Sequence, residues 1–139
     1  MVNFLLDTNV ISEVRKKSPD PGVAAWFASV PGDALFLSVL VVGEVRQGVV
    51  RLERRDPAQA AQIAGWLETL KTRCGGRIVP ISAIIAEEWG RLNAARPLPV
   101  VDGLLAATAK VHGFTLVTRN TADVARTGVE LLNPFGSAV

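Results

Sequence analysis

Three aspartates of this chain follow short apolar runs that are typical of buried strands. Asp7 ends the run 2–6, Asp102 follows two valines, and Asp123 comes six residues after the run 114–117. The carboxyl ends of parallel strands meet at one edge of a sheet, and α/β proteins build their ligand sites there. Carboxylates gathered at such an edge repel one another unless a cation lies between them, and Mg²⁺ binds a few carboxylates while keeping several of its waters. The spacing therefore predicts a metal site of the kind that often processes phosphates.

A fourth acid, Glu44, emerges from a helical projection. In the predicted helix 38–55 the valines at helical spacing form an apolar face, and Glu44 lies on its flank. Gly48, one turn further on, leaves room for a ligand, and Arg51 could meet a phosphate chain. An ordinary solvated helix flank remains the alternative, and for the arginine alone it is the favoured interpretation.

Each aspartate also has a purely structural explanation. Asp7 and Asp102 both stand where an aspartate can cap the start of a helix. Asp123 lies in a polar loop, where acids that form turns are common. For any one aspartate, a structural role explains its position as well as metal binding does. Several acids at one edge of one sheet, however, favour metal binding.

Short apolar runs alternate with helical patterns along the whole chain. The predicted helices span 8–17, 23–30, 38–55, 57–73, 82–95 and 102–112, and the predicted strands span 2–6, 34–37, 78–80, 115–117 and 129–132. Such alternation is typical of a parallel sheet covered on both faces. We therefore expect an α/β fold: a single domain over residues 1–139, with about five mainly parallel strands and helices on both faces.

The bulk composition narrows the classes of function. A net charge of +2 permits a nucleic-acid partner without requiring one. Cys74 is the single cysteine, so the chain can form neither an internal disulfide nor a cysteine metal cage. The apolar runs are too short to span a membrane and no leader pattern precedes the first strand, so we expect a cytoplasmic protein with no membrane partner.

Other catalytic chemistries find little support. His112 is the lone histidine, so a zinc site with the usual ligand spacing is excluded. The sequence contains no Gly-x-Ser-x-Gly, no P-loop and no Gly-x-Gly-x-x-Gly. A phosphatase or a receiver domain would need a lysine or a second acid beside its aspartate nucleophile, whereas Asp7 is followed by Thr8 and Asn9.

Taken in order, the motifs resemble the PIN-domain family, and within it the VapC-type toxins of bacterial toxin–antitoxin pairs. They span the chain and are found at 5–12 (LLDTNVIS), at Ser38 with 43–44 (GE), at 102–109 (DGLLAATA), at 117–123 (VTRNTAD) and at 131–135 (LLNPF). Two positions depart from the family pattern. Many members have an aromatic where this chain has Val124, and others have an acid where it has Asn120. Direct and water-mediated metal binding by Asp123 therefore both remain open.

The resemblance implies a ribonuclease that depends on Mg²⁺ or Mn²⁺. It assigns metal binding and catalysis to the four acids Asp7, Glu44, Asp102 and Asp123. It assigns substrate-orienting or supporting roles to the polar residues Thr8, Asn9, Ser38, Thr118 and Asn120. Arg119, Arg51 and the basic run 15–17 are candidates for contact with the RNA backbone.

The same resemblance implies three partners. The first is RNA, expected in single-stranded or looped form because proteins read RNA sequence on unstacked bases. The second is an antitoxin protein that covers the acidic groove and reaches its carboxylates with an arginine or lysine. The third is another copy of the chain, held by exposed apolar helix faces.

One alternative from a different class remains, a catalytically inactive PIN-like dimer that binds RNA or protein. Binding through arginine and lysine alone would depend on salt but would be unchanged by EDTA. The presence of all four acids argues against a loss of catalysis.

Overall fold

In the computed structural model, which describes residues 1–136, the strands form one parallel sheet in the order β3-β2-β1-β4-β5. Every pairing in it is parallel, and its strands are β1 (Phe4–Leu6), β2 (Leu35–Ser38), β3 (Ile78–Val79), β4 (Thr115–Val117) and β5 (Leu131–Leu132). The predicted α/β fold with about five strands is therefore confirmed. β1 lies in the middle, and its residues Leu5 and Leu6 are buried in the core.

Seven helices, together with short 3₁₀ turns, connect these strands within residues 1–136. The helices are α1 (Thr8–Val14), α2 (Pro21–Ser29), α3 (Val39–Leu52), α4 (Pro57–Cys74), α5 (Ala83–Ala95), α6 (Val100–His112) and α7 (Thr121–Val124). Their starts follow ordinary capping chemistry: the side chains of Asp20, Ser38, Asp56 and Ser82 each accept a backbone N–H of the helix that follows. No helix in the same residues is long and apolar enough to cross a membrane.

The direction of the crossovers places helices on both faces of the sheet. The chain moves one way from β1 through β2 to β3, and then crosses back past β1 to β4. Because parallel crossovers are right-handed, the helices before β3 cover one face and those between β3 and β4 cover the other. The packing agrees, since α3 packs on α4 and α5 packs on α6.

Several predicted boundaries were wrong by a few residues. β1 begins at Phe4 rather than at residue 2, and β5 begins at Leu131 rather than at residue 129. Val2 is 57% exposed and lies outside the parallel ladder, so its apolar character was misleading. α1 ends at Val14 instead of at residue 17, because the Glu13 carboxylate accepts the backbone N–H of Asp20 at 2.8 Å and the chain turns there.

The start of α6 and the loop before β5 also differ from the prediction. α6 begins at Val100 with Pro99 at its N-cap, so Asp102 lies inside the first turn. Asp123, expected in a loop, lies in the short helix α7. Asp102 and Asp123 are therefore both held on helices, and neither lies in a loop or at a helix cap.

Two glycines provide a matched test of this packing. A Cβ on Gly22 would meet the backbone carbonyl oxygens of Pro134 and Gly136, whereas one on Gly65, in the middle of α4, would meet nothing. We expect Gly22→Ala to lower the free energy of unfolding by about 1–3 kcal/mol, as other overpacked sites do. Gly65→Ala should raise it by about 0.5–1 kcal/mol, because alanine is the better helix former. Urea denaturation of both variants checks this, and stabilisation by Gly22→Ala would contradict the contact between α2 and the segment after β5.

Candidate active site

The candidate site lies where β1 and β4 end side by side. Leu6 is level with Val117 in the parallel ladder, so Asp7 and Thr118 are the next residues of neighbouring strands. The Asp7 N–H donates to the Val117 carbonyl at 2.9 Å and continues the ladder by one bond. Asp7 is therefore fixed by the backbone, and only 7% of its surface is exposed.

The Asp7 carboxylate is held by hydrogen bonds on both oxygens. Its Oδ1 accepts the Thr8 backbone N–H at 2.6 Å, and its Oδ2 accepts the Thr118 hydroxyl at 2.7 Å. Burial raises the pKa of Asp7, the bonds from Thr118 and Thr8 oppose that rise, and the charge on Glu44 adds to it. Asp7 is also the N-cap of α1, so the capping explanation is confirmed and coexists with its place in the site.

Glu44 approaches Asp7 from α3. The Thr8 hydroxyl donates to Glu44 Oε1, so α1 and α3 are joined at this point. Ser38 fixes the start of α3: it is fully buried, and its hydroxyl accepts the Leu40 N–H at 3.1 Å. Ser38 thus acts on the site through the placement of the helix that carries Glu44.

Asp102 does not cap α6, so that structural explanation was wrong. The N-cap is Pro99, which provides no side-chain hydrogen bond, and Asp102 lies in the first turn of the helix. The next residue, Gly103, packs against Trp89 of α5, and a Cβ there would lie 3.1 Å from the indole ring. This close contact fixes the position of the turn of α6 that carries Asp102.

Electrostatics show that the four acids share one neighbourhood. Burial raises the pKa of Asp102, and the charges of Asp7, Asp123 and Glu44, in that order, raise it further. Within residues 1–136 the ion pairs involve Glu13, Glu68 and Glu88, and none includes an acid of this cluster. The structure therefore brings together four carboxylates that no basic side chain of the described chain neutralises.

This donor set fits a hard divalent cation, since Mg²⁺ and Mn²⁺ prefer carboxylate oxygens. As the side chains are placed, no three acidic, histidine or cysteine residues among those described are close enough to share an ion. Mutual repulsion favours such a separation. The acids fit the metal by their chemistry and their shared location.

The loop after β4 is tied to the loop after β1. The Asn9 side-chain oxygen accepts the Arg119 backbone N–H at 3.3 Å, and the Thr118 hydroxyl accepts the Asn120 N–H at 3.0 Å. The Asn9 amide nitrogen lies 3.5 Å from both the Asp7 Oδ2 and the Thr118 hydroxyl. Asn120 therefore takes part through its backbone, and Thr8, Asn9 and Thr118 through their side chains.

The arginines expected to bind RNA are not in contact with the acids. The Arg119 guanidinium lies over the Phe135 ring, 3.8 Å from its centre. Arg51 is exposed near the end of α3, about two turns beyond Glu44. In the run 15–17, Lys16 is paired with Glu13 at 2.9 Å.

Sequence reasoning assigned no role to Glu13, whose carboxylate accepts the backbone N–H of Asp20 in the turn after α1. Glu13 is buried, and its pKa is lowered first by the bond from Lys16 and then by the Asp20 N–H. The spacing of four residues between Asn9 and Glu13 indicated that they share one face of the helix, and this was the only signal in the sequence. The partner that decides its role, the Asp20 backbone, was visible only in the fold.

Comparison with known proteins matches residues 4–129 to a family described as PIN domain. A VapC ribonuclease, Y4jK of Sinorhizobium fredii, is 33% identical, with 97% of this chain and 99% of that protein covered. Toxin FitB of Neisseria gonorrhoeae is 31% identical, with 95% and 98% covered. The crystal structure of FitAcB from that organism superimposes with a TM-score of 0.87 at 32% identity, covering 94% of this chain and 97% of that one. The resemblance seen in the motifs is confirmed.

Thr118 provides a direct test of how Asp7 is held. Thr118→Val keeps the shape but removes the hydroxyl that bonds Asp7, so we expect the free energy of unfolding to fall by about 1–2 kcal/mol. Thr118→Ser retains the hydroxyl and should lose less. Urea denaturation of the three proteins checks this, and a larger loss in Thr118→Ser than in Thr118→Val would show that the methyl group matters more than the hydrogen bond.

Asp102 provides a test of the repulsion among the acids. Because its folded-state pKa lies above the unfolded value, the ionised carboxyl weakens the fold at neutral pH, and this weakening disappears as the pH falls below the unfolded pKa. In EDTA at pH 7.5 we expect Asp102→Asn to raise the Tm by a few degrees, with the gain shrinking toward pH 3.5. The matched control Asp33→Asn changes an exposed acid in the turn before β2 and should leave the Tm unchanged. A gain for Asp102→Asn that does not vary with pH would contradict a charge origin.

Proposed function

Since the chain belongs to the PIN-domain family, we propose that it is a metal-dependent endoribonuclease that hydrolyses RNA phosphodiester bonds as the toxin of a toxin–antitoxin pair, acting as one domain over residues 1–139. Relatives support the ribonuclease and toxin parts of this proposal. The Sinorhizobium relative is called a VapC ribonuclease and the Neisseria relative a toxin. This chain covers nearly the full length of both.

One observation carries the proposal: the carboxylates at the end of β1 have no basic partner among the described residues. A cluster kept only for stability would be expected to include an arginine or lysine, because uncompensated buried acids weaken a fold. Here Asp7 is buried, and burial together with the charges of the other three acids raises the pKa of Asp102. Such an arrangement is typical of a site that binds an external cation.

In the proposed mechanism Asp7 and Asp102 would hold Mg²⁺ or Mn²⁺. A divalent ion held there would lower the pKa of water and offset the negative charge that develops on the phosphate. Thr118 and the Thr8 N–H keep the Asp7 carboxylate in one orientation. Thr8 also donates to Glu44, which leaves the other Glu44 oxygen to complete the metal site or to orient the attacking water. Asp123, exposed on α7, is the candidate ligand for a second ion.

The remaining roles are supported by position. Asn9 and the backbone at 119–120 connect the two loops that border the acids, so they shape the surface on which RNA would lie. Ser38 sets the angle of α3. Arg119, stacked on Phe135, keeps guanidinium N–H groups that can meet an RNA phosphate.

We propose two protein partners. The structure of FitAB bound to the IR36 DNA fragment superimposes with a TM-score of 0.87 at 30% identity, covering 98% of each chain. By the resemblance to toxin–antitoxin pairs, a small antitoxin would cover the acidic groove and reach its carboxylates with a basic side chain. A second copy of the chain is the other partner, since Val39 and Val100 are 40% and 61% exposed in the first turns of α3 and α6, beside the site.

Cleavage of a mixed-sequence fluorogenic single-stranded RNA tests the proposed activity. We expect cleavage with Mg²⁺ or Mn²⁺, none with EDTA, and a loss of at least about 100-fold in Asp7→Asn, because a ligand that orients the ion is removed. Asp33→Asn removes one equivalent charge before β2, away from the site, and should cleave like the wild type. The same pair can be expressed in bacteria, where only Asp7→Asn should relieve growth inhibition.

Two results would contradict this account. Cleavage that survives EDTA or Asp7→Asn would mean that the carboxylates are not the catalytic groups. RNA binding that is insensitive to EDTA, without any cleavage, would favour a catalytically inactive PIN-like module that binds RNA or protein.

A further inference from the structure

A cavity of about 400 Å³ opens beside Asp123. One wall is the linker between α5 and α6, and the other is α7 with the 3₁₀ turn that follows it. The residues lining it are Arg96, Pro97, Leu98, Pro99, Ala122, Asp123, Ala125 and Arg126. The cavity thus shares one wall residue with the acidic site and carries two arginines.

The linker wall is fixed in place. The Leu98 N–H donates to the Asn93 side chain at 2.8 Å, and Leu98 is itself buried. Arg126 donates through Nη2 to the Arg96 carbonyl, which ties the linker to the opposite wall. Pro97 and Pro99 restrict the backbone between these two anchors. A cavity held in this way is already shaped before a ligand arrives.

Both arginines keep unused hydrogen-bonding capacity. Within residues 1–136 neither forms an ion pair with an acid. Arg126 uses one nitrogen for the Arg96 carbonyl, whereas a guanidinium has five N–H donors. The Arg96 side chain forms no hydrogen bond to another described residue. Planar donors of this kind suit the paired oxygens of a phosphate.

We propose that this cavity binds a backbone phosphate that flanks the cleaved phosphate on the same RNA strand, with Arg96 and Arg126 as positioning residues. The inference rests on the ribonuclease function proposed above. A polyanion approaching four carboxylates is repelled wherever a bound cation does not offset them, so neighbouring phosphates need positive charge of their own. Arg96 and Arg126 supply it next to Asp123. They hold the strand in register and leave the reacting atoms to the acids.

The direct test measures binding of a fluorescein-labelled 12-nucleotide single-stranded RNA by fluorescence anisotropy, in EDTA and at several KCl concentrations. We expect Arg96→Gln to raise the Kd by about 5–10-fold and to lower the slope of log K against log[salt] by about 0.7–1, as loss of one phosphate contact does. Arg54→Gln is the matched control, because it removes an equal charge from an exposed turn after α3. It should change the Kd by less than about twofold. Arg96→Lys should restore part of the affinity.

A set of RNAs, each carrying one neutral methylphosphonate linkage, identifies the contact itself. The wild type should bind one member of the set more weakly than the rest, and Arg96→Gln should lose that difference while Arg54→Gln keeps it. Arg126→Gln could also loosen the linker, so the Tm of each variant is measured alongside. For cleavage, Arg96→Gln should raise KM and leave kcat close to that of the wild type.

The outcomes separate this inference from the proposed function. Equal losses in Arg96→Gln and Arg54→Gln, or no loss in either, would overturn the phosphate site even if the wild type cleaves RNA. Selective loss in Arg96→Gln, with a wild type that binds RNA but never cleaves it, would support the site and overturn the ribonuclease. A wild type that neither binds nor cleaves RNA would overturn both.

Discussion

The repulsion among Asp7, Glu44, Asp102 and Asp123 is the constraint on which this structure depends. A fold gains nothing from bringing like charges together, and burial makes the ionised form of Asp7 less favourable still. The chain offsets part of this cost with hydrogen bonds from Thr118 and Thr8 to both Asp7 oxygens. The rest is left uncompensated among the described residues, which is the physical condition for affinity toward an external cation.

The four acids lie at the start of α1 and on α3, α6 and α7, so the packing of these elements sets the distances between them. β1 lies at the centre of the sheet, so the residues after it face the end of β4. The approach of α6 depends on Gly103, which lets the Trp89 ring lie against the helix backbone. Trp89 Nε1 is buried without a hydrogen-bond partner in residues 1–136, a cost of the kind expected where close packing is retained for a functional site.

Acidic and basic side chains occupy separate areas at the edge of the sheet where β1 and β4 end. The acids occupy the centre, while Arg96 and Arg126 border them on the Asp123 side and Arg119 lies over Phe135. The net charge of +2 does not reveal this separation, because it is a sum over all the charged side chains and ignores their positions. An RNA strand bound as proposed would meet positive charge from Arg96 and Arg126 beside the acids, which offsets the repulsion between its phosphates and the carboxylates.

The sequence by itself determined the alternation of strands and helices, the start of α3 near residue 38 and of α5 near residue 82, and the identity of the acids. These features depend on neighbouring residues, so hydrophobic period and cap chemistry are enough to predict them. Only the tertiary structure decided that Thr118 bonds Asp7 across 111 positions of sequence, that Glu13 is buried, and that Arg126 holds the linker at Arg96. Those contacts depend on strand register and on the path of the crossovers. The type of a single residue does not indicate which distant segment of the chain will contact it in the fold.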